Sequence, residues 1–157
     1  MPDMLVKLYT LPDLAPVLAE QAAQGITVRR ALAPEKRRVV EWVRKHFHDT
    51  AWDSECDVSF AHQPIGCYVA VRDGALIGFG CYDVTAKGFF GPTGVAESAR
   101  GLGTGKALLL ACLHSLRIEG YGYAIIGAAG PTEFYTHIVG ATVIEDSWPG
   151  VYAGLLD

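Results

Sequence analysis

No stretch of the sequence approaches the ~18 uninterrupted apolar residues that a membrane-spanning helix needs, so no membrane partner is expected. Positive charge is scarce: 13 Lys and Arg against 17 Asp and Glu leave a formal net charge of −4. That balance argues against a nucleic-acid surface, which needs a basic face. It suits a cationic acceptor, to the extent that net charge steers encounter. Cysteine pairs are also missing. Cys56, Cys67, Cys81 and Cys112 form no CxxC motif, and their spacing fits no zinc site. Cys67, Cys81 and Cys112 lie in apolar runs and read as small buried residues. The segment Met-Pro-Asp-Met-Leu-Val-Lys has no basic region followed by a long apolar run, so no signal peptide is expected. Reduced thiols without an export signal point to a cytoplasmic protein. Internal repeats and low-complexity segments are absent too.

What the chain does contain is apolar surface. Half of its residues are hydrophobic, ample for a core, and its length fits one domain spanning residues 1–157. Met4 to Tyr9 reads as a short strand. Leu11 to Gln24 reads as a helix, apolar at Leu14, Val17, Leu18 and Ala22 and stopped by Gly25. Ile26 to Arg30 alternates like a strand. Pro34 opens a second helix to about His48, with Val39, Val40, Val43 and Phe47 as its dry side. Asp49 to Pro64 has no clean period and is acidic and aromatic. Tyr68–Val71 and Ala75–Tyr82, joined by Arg72-Asp73-Gly74, predict a hairpin, and Gly88–Val95 a third antiparallel strand. Pro92 in that strand cannot donate to a ladder and marks an edge or a bulge. A glycine turn and a helix to Glu119 follow. Tyr123–Ile126 is a short apolar strand, expected to be buried on both faces. Pro131 starts a last short helix, Ala141–Ile144 is a further strand, and Val151–Leu156 is a final strand candidate. This order predicts an α+β protein with a mixed sheet.

The densest signal is Arg100-Gly101-Leu102-Gly103-Thr104-Gly105-Lys106, a glycine turn between a strand and an apolar helix. Such a turn aims unpaired N–H groups at an anion. Without Cβ atoms, phosphate oxygens can come close to the main chain. It is not a triphosphate loop: Arg100 stands where the first Gly is required, and Ala107 where the magnesium-binding hydroxyl is required. It is not a dinucleotide turn either, because from Gly101 the third glycine falls on Lys106 and from Gly103 on Leu108. Arg100, Gly103 and Gly105 do fit Arg/Gln-x-x-Gly-x-Gly/Ala. The run from Val95 to Gly105 resembles the acetyl-coenzyme A loop of the GNAT N-acyltransferase superfamily. A second element of that family follows in order, Phe134-Tyr135 and then Gly140-Ala141, and the resemblance covers residues 26 to 146.

The resemblance implies the GNAT fold: an antiparallel meander followed by a parallel strand pair splayed around the cofactor. Residues 1–25 would be an N-terminal extension, an extra strand and helix, to a core of residues 26–157. Acetyl-CoA is the implied cosubstrate. The resemblance makes Arg100, Gly101, Leu102, Gly103, Thr104, Gly105 and Lys106 cofactor-binding: the amides of about Leu102 through Lys106 would hold the pyrophosphate, and Arg100 would help fix the turn and reach the phosphate. The main chain of Thr93, Gly94 and Val95 would pair with the pantetheine arm. Tyr135 is the implied general acid toward the departing thiolate, in metal-independent transfer of acetyl to a primary amine by direct attack. The base stays open, with Asp53, Glu55, Asp57 and Glu133 able to serve through water. Trp42, Trp52, Phe60 and Tyr68 are candidate walls of an acceptor pocket. His46 and His48 lie two apart on a helix and point two ways, so no metal site is expected. The acceptor, a small molecule or a peptide amine, is open, as is the oligomeric state, a homodimer included. The alternative is a non-catalytic acyl-CoA-binding module of the same fold.

Overall fold

The computed structural model describes residues 1–157. Its elements run β1 (Met4–Lys7), α1 (Leu14–Ala23), β2 (Ile26–Arg30), α2 (Lys36–His46), α3 (Trp52–Ser59), β3 (Cys67–Arg72), β4 (Ala75–Tyr82), β5 (Phe89–Val95), α4 (Thr104–Ile118), β6 (Tyr123–Ile126), α5 (Thr132–Val139) and β7 (Thr142–Val143). The strands form one mixed sheet in the order β2-β3-β4-β5-β6-β1-β7. β2 to β5 are an antiparallel meander, with Asp73-Gly74 at the hairpin, both at positive φ. β5 and β6 are the parallel pair, joined by the crossover helix α4. No helix is long and apolar enough to cross a membrane.

Two cores lie on opposite faces of the sheet. α4 fills one, with Leu109, Leu110, Leu113 and Leu116 fully buried against Met4, Val6, Ile126 and Tyr135. Each fully buried Leu contributes about 1.5–3 kcal/mol of apolar burial. α2 and α3 cover the other face with Val39, Val40, Val43 and Cys56 on Cys67, Val69, Phe79 and Cys81. An Arg30 cluster lies on the α4 side of the meander. Its guanidinium donates to the Tyr82 hydroxyl at 2.6 Å and the Tyr68 hydroxyl at 3.2 Å, and sits over the Tyr68 ring at 4.9 Å.

The strand and helix expected in residues 1–25 are β1 and α1, and β1 lies between β6 and β7, pairing antiparallel with both. Other expectations are corrected. Asp49–Pro64 contains a helix, α3, whose inward residues Trp52, Cys56 and Ser59 follow a helical spacing hidden by the polar Ser59. In α1, Gln21 occupies the inward face and is 2% exposed, while Ala22 faces solvent. β6 is buried on one face only, since Tyr123 is 52% exposed. No strand spans Val151–Leu156: positive φ at Gly150 and Gly154 bends the chain, and a short 3₁₀ turn covers Gly150–Tyr152.

Candidate active site

The parallel pair separates almost as soon as it forms. β5 and β6 pair only at Phe89↔Ile125 and Phe90↔Ile126. Pro92 follows, with no N–H to donate, and the β4–β5 register shifts between Gly80 and Tyr82. Beyond that bulge Ala96 donates to the Ile77 carbonyl at 2.8 Å. Donors and acceptors alternate along an antiparallel ladder, so the main-chain groups of Thr93 and Val95 face away from β4 into the gap beside β6. The Thr93 hydroxyl donates to the Phe79 carbonyl at 3.0 Å. Gly94 is glycine for a local reason: a Cβ there would collide with the Phe47 ring.

At the end of this gap stands the N-terminus of α4. Gly101 and Gly103 have φ of 83° and 80°, the left-handed turn that glycine permits, and Gly103 is the helix N-cap. None of the backbone N–H groups from Gly101 to Lys106 finds an acceptor within the protein. They border a depression of about 260 Å³ lined by Arg100, Gly101, Gly103, Thr104, Gly105 and Lys106. Unpaired donors at the positive end of a 15-residue helix suit an anion. The space over the start of the turn is open, since nothing lies within 4 Å of where a Cβ of Gly101 would stand.

The turn is held from behind. The Gln21 amide donates to the Leu102 carbonyl at 2.8 Å and accepts from the Thr104 hydroxyl at 2.7 Å. Gln24 donates to the same carbonyl at 3.0 Å. The side chain of Thr104 is thus turned into α1, leaving only its amide for a ligand. Arg100 Nε donates to the Val95 carbonyl at 3.3 Å, tying the turn to the end of β5. Lys106 makes no ion pair with the protein.

A larger cavity of about 610 Å³ adjoins the cradle and shares Val95, Arg100, Gly105 and Phe134 with it. Its lining comes from both faces of the sheet. Leu109 and Tyr135 stand on the α4 and α5 side; Phe47, Trp52 and Glu55 stand on the α2 and α3 side. The gap therefore runs through the sheet. Tyr135 is 6% exposed, and burial pushes its hydroxyl up to about 12. That hydroxyl makes no hydrogen bond within the protein, and it is not sealed from the cavity. Glu55 accepts from the Thr85 hydroxyl at 2.5 Å, and burial raises its carboxyl above the usual carboxylate range. Tyr152 also lines the cavity, its hydroxyl pushed up to about 12 chiefly by burial, with the Glu55 charge adding to it.

Of the four carboxylates considered from sequence, only Glu55 reaches the cavity. Asp53 pairs with Arg44 at 2.8 Å, Asp57 with Lys36 at 3.1 Å, and Glu133 faces solvent. Of the four aromatic candidates only Trp52 is a wall; Trp42 and Phe60 pack on the second core, and Tyr68 belongs to the Arg30 cluster. His46 stacks on Trp42 at 4.1 Å and His48 lies 3.3 Å from Asp49, so the two do not converge. Sequence reading missed Gln21, Phe47, Thr85 and Tyr152. It also missed that the sulfur atoms of Cys56, Cys67 and Cys81 lie within 4.8 Å of one another. Cys67 and Cys81 are direct partners across β3 and β4, which the spacing alone does not reveal.

A family model described as the acetyltransferase (GNAT) family matches residues 27–140. No curated protein matches the chain. Among solved structures, a GCN5-related glucosamine N-acetyltransferase region of a fungal multi-domain GH3 β-N-acetylglucosaminidase is 14% identical, with a TM-score of 0.73 over 91% of this chain and 19% of that one. A GCN5-related N-acetyltransferase from Sphaerobacter thermophilus is 22% identical, with a TM-score of 0.68 over 91% of this chain and 48% of that one. A GNAT family acetyltransferase from Brucella melitensis, in complex with acetyl-CoA, is 18% identical, with a TM-score of 0.55 over 76% of this chain and 86% of that one. The chain spans about a fifth and about half the length of the first two. At these identities the likeness is one of fold.

Proposed function

The chain belongs to the acetyltransferase (GNAT) family, and from that premise we propose that it transfers an acetyl group from acetyl-CoA to a primary amine. The observation that carries the reading is the run of unpaired N–H groups from Gly101 to Lys106, opening onto a cavity that crosses the sheet beside main-chain groups of β5 that face away from β4. The cradle would hold the diphosphate, and the edge at Thr93 and Val95 would pair with pantetheine amides. That directs the thioester toward Tyr135. The cosubstrate supplies an activated acetyl carbon with a thiolate leaving group.

Tyr135 serves as the acid. Its phenol is fully protonated at physiological pH, being pushed up to about 12. An ordinary thiol titrates near ~8.5, so proton transfer to a solvated thiolate is uphill by about 5 kcal/mol. A thiolate formed in the same dry cavity is destabilised by the same loss of water, which narrows the gap. Tyr135 stands ready to donate as the C–S bond breaks, a role that typically supplies ~10²–10⁴-fold.

The test is thiol release from acetyl-CoA in the presence of mixed primary amines, run beside calorimetry with coenzyme A. Release above the amine-free blank supports transfer. Coenzyme A binding with no release for any amine would instead favour a non-catalytic acyl-CoA-binding module.

A further inference from the structure

Glu55 is the only acid among the residues that line the cavity; the one basic side chain there, Arg100, sits on the cradle side. Trp52 and Glu55 are three apart on α3 and share its inward face. Phe47, at the end of α2, brings the tip of its ring against Gly94, with its ring centre 5.0 Å from that of Trp52. The Thr85 hydroxyl fixes the Glu55 carboxylate from the loop after β4. No second acid is free to help. Asp53 and Asp57 are engaged by Arg44 and Lys36, and Asp3 accepts from the Ala128 N–H at 2.8 Å.

Building on the transfer reading above, we propose that the acceptor is a primary amine with a single positive charge on an aromatic or otherwise apolar body, its ammonium gripped by Glu55 beside Trp52 and Phe47. One carboxylate neutralises one ammonium. Every further charge of a polyamine or aminoglycoside would enter apolar surroundings unpaired, which is costly. An aromatic body instead buries area on Trp52 and Phe47, and the ammonium gains from the ring faces. Glu55 then takes one proton from the ammonium. The free nitrogen forms the C–N bond, the C–S bond breaks, and the sulfur takes its proton from Tyr135. The second nitrogen proton restores the Tyr135 phenol and Glu55 releases the first to water, so the sum is amide, free thiol and one released proton.

The experiment is a calorimetric titration of the protein–coenzyme A complex with 2-phenylethylamine, spermidine and kanamycin. We expect 2-phenylethylamine to bind about tenfold tighter than the other two. Glu55→Gln should weaken that binding about tenfold, the scale of a lost charge-assisted bond, without changing coenzyme A affinity. Equal or tighter binding of spermidine or kanamycin to the wild-type complex overturns the proposal, whatever the variant does. Thiol release is followed separately. Selective amine binding without release would sink the transfer reading and leave the acceptor class standing. Release driven best by spermidine would do the reverse.

Discussion

In the proposed mechanism Tyr135 and Glu55 divide the proton chemistry between two environments. Tyr135 is buried among apolar neighbours, with ring contacts to Phe90 at 6.3 Å and Phe134 at 5.2 Å, so its hydroxyl is held protonated. Tyr135→Phe should therefore lower kcat by about 10²-fold while coenzyme A affinity, read by calorimetry, stays within twofold. Unchanged turnover would remove the tyrosine from the mechanism. Glu55 is half-buried, and burial raises its carboxyl although the Thr85 hydrogen bond opposes the rise. The titratable group that shares its wall of the cavity is Tyr152, whose phenol stays neutral because it too is pushed up, to about 12. As pH falls through the raised value, Glu55 gains a proton and ceases to act as a base. The acid limb of kcat/KM should thus lie above ~4.3, the ordinary glutamate value, and vanish in Glu55→Gln. The linkage has the opposite sign for stability. A group whose folded value is raised stabilises the fold below its unfolded value, and that contribution is lost as pH rises through the folded value. Ionised Glu55 is a cost at neutral pH. Glu55→Gln should raise the melting temperature near pH 7, with the advantage shrinking toward pH 4, as measured by thermal unfolding across that range.

Among the elements, α4 and α1 work as a pair. The glycine turn sets the N-terminus of α4, but Gln21 of α1 holds its shape by bonding the Leu102 carbonyl and the Thr104 hydroxyl. Gln21→Leu keeps the apolar packing of α1 on α4 and removes both bonds. Each is worth about 1 kcal/mol, so coenzyme A affinity should fall about tenfold while circular dichroism stays native. Affinity equal to wild type would show that the turn holds itself. The glycine turn, the hairpin at Asp73-Gly74 and α4 were legible in the sequence because each is a local pattern: glycine at fixed offsets, or an unbroken apolar run. Gln21 was not, because a glutamine on a helix reads as a wet residue until its partner, 81 positions away, is known. Glu55 was legible as a candidate and no more. Whether it or Asp53 faced the cavity depended on a short helix with no clean period, whose orientation is set by packing on β4 and the cysteine trio.

On the scale of the molecule, the sheet cannot be separated from its first strand. The chain matches the family from residue 27, yet β1 sits inside the sheet and buries Met4 and Val6 completely, with Leu8 just beyond it equally buried. Three such side chains contribute about 5–9 kcal/mol, comparable with the whole margin of a small domain. Asp3, by bonding the Ala128 N–H, also holds the β6–α5 turn that borders the cavity. Deleting residues 1–25 should abolish cooperative unfolding, observed as a lost calorimetric transition; a deletion variant with a native melting curve would show that the sheet stands without β1. This pairing was invisible in sequence because strand order is a long-range property, and four residues carry no label for their neighbours.

The most direct measurement is a titration of the ¹⁵N-labelled protein with coenzyme A, followed by amide resonances. If the main chain of the glycine turn holds the diphosphate, the amides of residues 101 to 106 shift most and saturate together, with Thr93 and Val95 responding alongside. Shifts confined to other surfaces, or none at saturating coenzyme A, would contradict the account.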